Sequence, residues 1–332
     1  MTPEPSGADE FETIARLLRP LASAPEALGL LDDAAAIPSR PGQDLIVSKD
    51  AMVAGVHFLD GDPPDLVARK LLRANLSDLA AKGAEPYGYF LAVAWPEGTG
   101  WSERERLAAG LAEDQARFGL GLFGGDTVST PGPLTLSATI LGWTPSGAMI
   151  RRSGARPGER VLVSGTIGDG WLGLRAARGE LAGTIPEAAA GWLAGRYRLP
   201  EPRLELRDAL RARAGAAADV SDGLIADAGH IAGASGVQLR LQLERLPVSE
   251  PASAWLDRQP DRARALAALA TGGDDYEIVL TAAPAHLGAL IAEAEAAGVA
   301  LTEIGEAADG EGVSVVFEGR ELMLDRTGWR HG

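Results

Sequence analysis

Short apolar runs alternate with longer segments of helical periodicity along the whole chain, and that alternation constrains the fold more than any other feature. It is the pattern of an α/β or α+β protein and favours that architecture over a helical bundle or a β-sandwich. Between Asp62 and Gly83, Asp62 can cap, Pro63 and Pro64 suit a first turn, and Leu72, Leu76 and Leu79 form a stripe that ends at Gly83 and Pro86. Ser102 followed by Glu105 reads as a capping box opening a second helix, with Leu107, Leu111 and Phe118 on one side and Gly119 as its stop. Strand-like runs follow at Leu134–Trp143, Val161–Ser164, Val237–Leu243, Glu277–Thr281 and Val313–Phe317.

A chain of 332 residues makes about two domains, each long enough for its own core. The Pro-, Gly-, Ser- and Arg-rich stretch Thr144–Gly158 is the linker candidate, which predicts domains over 1–150 and 151–332. A faint echo links Asn75-Leu-Ser-Asp78 with Asp219-Val-Ser-Asp222 and is too short to establish duplication.

A formal net charge of −15 disfavours a nucleic-acid partner held by a general positive field. The absence of cysteine removes disulfides, thiolate metal sites and cysteine nucleophiles together. The start carries Glu4, Asp9, Glu10 and Glu12 where a secretory signal needs basic and apolar residues, and no window approaches the roughly 20 apolar residues of a membrane span. The expectation is a soluble cytoplasmic protein without membrane partners.

The chemistry-bearing feature is a scatter of aspartates beside small residues: Asp32, Asp33, Asp50, Asp78, Asp126, Asp219, Asp222, Asp274 and Asp275. Asp is a hard oxygen ligand suited to magnesium, and adjacent glycine lets backbone approach a phosphate; Asp and Gly also simply mark turns. Gly124-Gly125-Asp126 reads as a turn that aims amides and a carboxylate outward, or as a hairpin turn. Asn75, Asp78 and Lys82 share a helix face, which is equally the pattern of a solvated surface. Ser221 and Asp222, ahead of a helix, serve as N-caps, as ligands, or as both. Gly165-Thr-Ile-Gly-Asp-Gly170 has the wrong spacing for a dinucleotide fingerprint and reads as a helix-opening turn, near phosphate if it binds one. There is no phosphate loop of the G-x-x-x-x-G-K-[ST] type, no H-R-D loop and no G-x-S-x-G elbow, and His57, His230, His286 and His331 are not paired at metal-ligand spacing.

Taken in order, Phe11-Glu-Thr-Ile-Ala-Arg-Leu17, Leu31-Asp-Asp33, Val47-Ser-Lys-Asp50, Gly55-Val-His-Phe58, Asn75-Leu-Ser-Asp-Leu-Ala-Ala81, Gly124-Gly-Asp-Thr127, Arg152-Ser-Gly-Ala155, Asp219-Val-Ser-Asp-Gly223 and Gly272-Gly-Asp-Asp-Tyr-Glu277 resemble the thiamine-monophosphate kinase family. That family stands within the superfamily of aminoimidazole ribonucleotide synthase and selenophosphate synthetase. The resemblance implies a two-domain fold, an N-terminal mixed-sheet domain for ATP and magnesium that pairs in a homodimer, followed by a C-terminal α+β domain. It implies transfer of the γ-phosphoryl group of ATP to thiamine monophosphate with several magnesium ions, the last step of thiamine diphosphate synthesis. By motif, Asp33, Ser48, Lys49, Asp50, Asp78, Asp126, Asp219 and Asp222 take the metal positions. Gly125, Asp126, Arg152 and Ser221 take the ATP positions, and His57, Asp274 and Trp329 those of the thiamine phosphate. Two positions depart from the family pattern: Leu31 replaces the usual glycine and Lys49 a common threonine, and a protonated lysine cannot ligate magnesium.

The reaction so implied needs no general base, because a phosphate monoester acceptor, with a second pKa of about 6, is already largely ionised near neutrality. Its obstacle is the approach of two polyanions: unit charges about 4 Å apart repel by roughly 4 kcal/mol at an effective dielectric near 20. Other readings are a different ATP-dependent enzyme with the same domain plan, or a non-catalytic cation binder, which would concentrate its ligands in local D-x-D-x-D-G loops.

Overall fold

The computed structural model describes residues 10–329; Glu4, Asp9 and His331 lie outside the described residues. The chain divides into two compact units, Met1–Leu79 with Glu85–Gly147, and Ala80–Ala84 with Ala148–Gly332.

The first unit is built on strands β1 (Gln43–Val53), β2 (Glu85–Pro96), β3 (Gly121–Thr130) and β4 (Thr135–Pro145). Their order is β1-β4-β2-β3, with β1 and β2 antiparallel to β4 and β3 parallel to β2. A parallel neighbour needs a long crossover, and the helix Trp101–Phe118 supplies it between β2 and β3. Strand alternation buries Tyr89, Leu91, Val93 and Trp95 of β2 and Leu136, Ala138 and Ile140 of β4. The helical stripes Leu72, Leu76, Leu79 and Leu107, Leu111 are buried with them. Helices Pro64–Ala81 and Trp101–Phe118 cross so closely that a Cβ on Gly110 would lie 2.2 Å from the Asp65 carbonyl oxygen. Arg73 Nε donates to Asp114 Oδ2 at 2.7 Å and joins the two helices through a buried ion pair.

Asp62 Oδ2 accepts the Leu59 N–H at 2.9 Å and closes the turn before the Pro64–Ala81 helix. Two local expectations need correction. The second helix starts at Trp101, so its capping carboxylate is Glu103, which accepts the Gly100 N–H at 2.9 Å, and not Glu105. Gly124-Gly125-Asp126 is no turn but the middle of β3, where a register irregularity opposite Tyr89 and Phe90 and a φ of 156° at Gly125 disturb the ladder.

The second unit holds a seven-stranded sheet in the order β11-β10-β7-β9-β5-β8-β6. Its strands are β5 (Arg160–Ser164), β6 (Ala214–Val220), β7 (Gln238–Gln242), β8 (Glu277–Ala282), β9 (Leu301–Ala308), β10 (Gly312–Phe317) and β11 (Arg320–Glu321). Only β10 and β7 pair in parallel; the other neighbours are antiparallel. Helices Asp169–Ala177 and Leu224–Ser235 follow β5 and β6, and their Leu172, Leu224, Ile225, Ala228 and Ile231 join Val161, Val163, Ala216 and Ala218 in one core. β6 reads Ala-Gly-Ala-Ala-Ala-Asp-Val, which carries no strand preference, and pairing with β8 makes it a strand.

Candidate functional site

In the first unit, β1 and the Pro64–Ala81 helix gather one group of the predicted residues. Ser48 and Asp50 pair with Ile140 and Ala138, so alternation puts them on the buried face of the sheet. Ser48 Oγ donates to Asp78 Oδ2 at 2.5 Å, and the Asp50 N–H donates to Asn75 Oδ1 at 3.2 Å. Asn75 and Asp78 therefore both face β1. Lys82 does not belong with them: the helix ends at Ala81, and the Lys82 ammonium donates to the Ala217 carbonyl at 2.8 Å, both residues lying in the second unit. The same alternation turns Lys49 to the opposite, exposed face, away from Ser48 and Asp50. The lysine side chain that the resemblance sets among the metal positions thus stands on the other face of the strand.

Asp33 and Asp126 form a second group, lining a cavity of about 350 Å³ with Gly124, Gly125, Phe90 and Leu122. Asp126 pairs with the exposed Ala92, and its Oδ1 accepts the N–H of its neighbour Thr127 at 2.9 Å. Register carries Asp50 through Ala138 and Leu91 to Gly125, so the two groups stand nearly level but three strand spacings apart. At about 4.8 Å per spacing that is about 14 Å along the sheet, too far for one ion to be shared. The loop that delivers Asp33 turns without a glycine at position 31: Leu31 has an ordinary φ of −110°, and the reversal falls on Leu28, Gly29 and Leu30, with φ of 48°, 68° and 53°.

His57 lies in the turn after β1. Its Nδ1 accepts the Val53 N–H at 3.1 Å, which leaves the proton of a neutral ring on Nε2, and its carbonyl accepts from the Lys70 ammonium at 3.0 Å.

In the second unit the turn between β6 and the Leu224–Ser235 helix collects the rest. Asp219 pairs with Ile278 next to the end of β6, and Ser221 and Asp222 follow its last residue, Val220. They are not N-caps, as expected from sequence; the N-cap is Gly223, and Asp227 Oδ2 accepts the amides of Ser221, Asp222 and Gly223 at 3.1, 3.1 and 3.2 Å. Burial first, then the charge of Asp222, push the Asp227 carboxyl up to about 7, against the pull of those amides and of the Arg152 guanidinium. Adjacent carbonyls of the turn hold two predicted substrate residues: Asp274 N–H donates to Ser221 O at 2.8 Å and Trp329 N–H to Asp222 O at 2.9 Å. Arg152 is exposed, and its carbonyl accepts from Ser235 Oγ at 2.9 Å.

The Gly165–Gly170 turn opens a helix, as expected, but its amides are already taken by a protein anion. Gly168 N–H and Gly170 N–H donate to Asp275 Oδ2 and Oδ1, both at 2.8 Å, so no phosphate is needed there. Asp227 and Asp275 are the residues that sequence reading missed as organisers. The only signal for the first is an acid four residues into a glycine-led helix, and for the second its place in an Asp-Asp pair.

Lys49 apart, the side-chain donors of the predicted metal set are carboxylate and hydroxyl oxygens, the chemistry that fits magnesium. Among the described residues one trio of acidic and histidine ligand atoms lies mutually within 4.8 Å, Asp222, Asp227 and His230, and only Asp222 belongs to the predicted set.

The N-terminal domain of AIR synthase related protein matches residues 31–144, and the C-terminal domain matches residues 156–318. The two α/β units thus make this a member of the AIR synthase related class of two-domain proteins. A thiamine-monophosphate kinase of Caulobacter vibrioides is 60% identical over 97% of this chain and 91% of its own length. The crystal structure of thiamine-monophosphate kinase from Stenotrophomonas maltophilia K279a superposes with a TM-score of 0.81 at 38% identity, over 93% of this chain and 96% of that one. AaThiL complexed with AMPPCP and TMP superposes with a TM-score of 0.77 at 28% identity, over 89% of each chain. The chain belongs to the thiamine-monophosphate kinase family.

Proposed function

We propose that this chain transfers the γ-phosphoryl group of ATP to the phosphate of thiamine monophosphate, releasing thiamine diphosphate and ADP. The observation that carries the reading is the 60% identity, over 97% of the chain, to a curated thiamine-monophosphate kinase. The likeness to a chain holding an ATP analogue together with TMP supports both substrates.

The residues divide the work by their chemistry. Asp33 and Asp126 at the cavity, Ser48 with Asp78 and Asp50 on β1 and its helix, and Asp219 and Asp222 in the second unit hold magnesium ions. Magnesium supplies the charge neutralisation that two polyanions need to meet. Because the two groups of the first unit cannot share one ion, they call for more than one. Gly125, Asp126, Arg152 and Ser221 line the nucleotide. Gly125 brings bare backbone to the phosphates, and Arg152 adds a positive fork. His57 offers its Nε2 proton to the acceptor phosphate, and the Asp274 carboxylate and Trp329 ring suit the cationic thiazolium of thiamine. No group need remove a proton from the acceptor, so catalysis is positioning plus charge compensation along an in-line path.

The protein works as a homodimer in the cytoplasm. The exposed face of β1 supports pairing, since Leu45 and Val47 stand 38% and 55% exposed in alternation beside Lys49 and Ala51. No helix among the described residues is long and apolar enough to cross a membrane.

The test is to incubate the pure protein with ATP, magnesium and thiamine monophosphate. Thiamine diphosphate should form and a chelator should abolish it; ATP consumption only with another acceptor would refute the substrate.

A further inference from the structure

Asp275 is the residue whose burial the reaction so far leaves unexplained. It is 1% exposed, and ionised carboxylates stay that deep only when their oxygens are satisfied. Its two oxygens each take one amide from the first turn of the Asp169–Ala177 helix, Gly168 and Gly170, at 2.8 Å. Gly168 adopts a φ of 93° to deliver its amide, and a Cβ on it would meet the Leu269 side chain at 2.6 Å. The helix end is itself pinned, because Asp169 accepts from Ser249 Oγ and Thr166 Oγ1, both at 2.5 Å.

On either side of Asp275 the chain is held in left-handed backbone, with φ of 63° at Asp274 and 51° at Tyr276. Such residues cost energy unless their surroundings over-determine them. Here the amides of Asp274 and Tyr276 reach the carbonyls of Ser221 and Val220, both at 2.8 Å, on one side, and the Asp275 carboxylate reaches the helix on the other. Contact is close enough that a Cβ on Gly170 would lie 2.2 Å from the Asp274 carbonyl oxygen.

We propose that Asp275 is a positioning residue for thiamine monophosphate: by clamping the Gly272–Tyr276 loop to the Gly168 and Gly170 amides, it sets Asp274 beside the Ser221–Asp222 turn in the geometry that binds the thiamine moiety. Asp275 touches neither substrate. The inference rests on the proposed substrate role of Asp274, and the experiment separates the two.

Steady-state kinetics of Asp275→Asn, Gly170→Ala and Asp274→Ala are measured against both substrates. Asp275→Asn turns one oxygen into a donor facing an amide N–H, and Gly170→Ala pushes on the Asp274 carbonyl from the helix side. Both should raise KM for thiamine monophosphate by about tenfold or more while leaving kcat and the KM for ATP nearly unchanged, the signature of lost ground-state binding. A purely structural carboxylate would instead lower the active fraction, and with it kcat, at constant KM. If Asp274→Ala leaves the KM for thiamine monophosphate unchanged, the substrate reading of Asp274 fails and the positioning role falls with it. If Asp274→Ala raises that KM but Asp275→Asn and Gly170→Ala do not, the positioning role alone is overturned. Failure of both of those variants to fold at 10 °C also overturns it, since Asp275 would then serve stability.

Discussion

Replacing Asp126 by asparagine tests the electrostatic core of the proposed reaction. The side chain is exposed and lines the cavity, and its Oδ1 accepts the Thr127 N–H, a bond that an asparagine oxygen also accepts. Surface changes of this kind alter stability by no more than about 0.5 kcal/mol. Removing the charge should be far more costly to turnover. A unit negative charge about 4 Å from a divalent cation attracts it by about 2 kcal/mol even at the dielectric of water, and by about 8 kcal/mol at an effective dielectric near 20. At 1.36 kcal/mol per tenfold, the smaller figure already amounts to about a 30-fold loss in kcat/KM. The assay is thiamine diphosphate formation from ATP and thiamine monophosphate at fixed magnesium, alongside a thermal melt. An unchanged Tm with activity reduced by 30-fold or more is expected; turnover within a few-fold of the parent at limiting magnesium would refute the assignment of Asp126 to cation binding.

Gly125→Ala would place its Cβ 1.7 Å from the Leu91 carbonyl oxygen at a φ of 156°, so it should destabilise the β2–β3 pairing by about 3 kcal/mol; an unaltered denaturation midpoint would contradict that geometry. Lys49→Ala should leave turnover and magnesium dependence as they are, because the side chain lies on the face opposite Ser48 and Asp50, and a marked loss would return Lys49 to the site. Asp227 should make the metal-free protein pH-sensitive. Its folded carboxyl is raised to about 7, above the ordinary value near 4, so between those limits the native state keeps a proton that the unfolded chain has lost. Its contribution is thus fully present below about pH 4 and lost as the pH rises through about 7, by about 4 kcal/mol in all. In Asp227→Asn that part of the slope in unfolding free energy should vanish, and parallel pH profiles for the two proteins would disprove it.

Much of this molecule is readable in its residues because the relevant signals are local. A 3.6-residue stripe at Leu72, Leu76 and Leu79 and the short run Val161–Ser164 each report their own burial, and the strands and helices they mark are present. The motif order was equally legible, and with it the family. The Ala-rich β6 and the glycines within β3 were not, since small residues serve turns, helices and strands alike until a partner strand chooses.

What the sequence by itself determined is therefore the inventory: two α/β units, oxygen donors in place of thiols, and an acidic set in the order of one kinase family. Tertiary structure alone decided the allocation. It turned Lys49 away from Ser48 and Asp50, parted Asp126 from Asp50 by three strand spacings, and gave the Gly168 and Gly170 amides to Asp275. The physical reason is that periodicity along a chain reports which residues share a face of one element. Which faces meet is settled by strand register and helix crossing, contacts between residues distant in the chain, 107 positions apart in the case of Gly168 and Asp275.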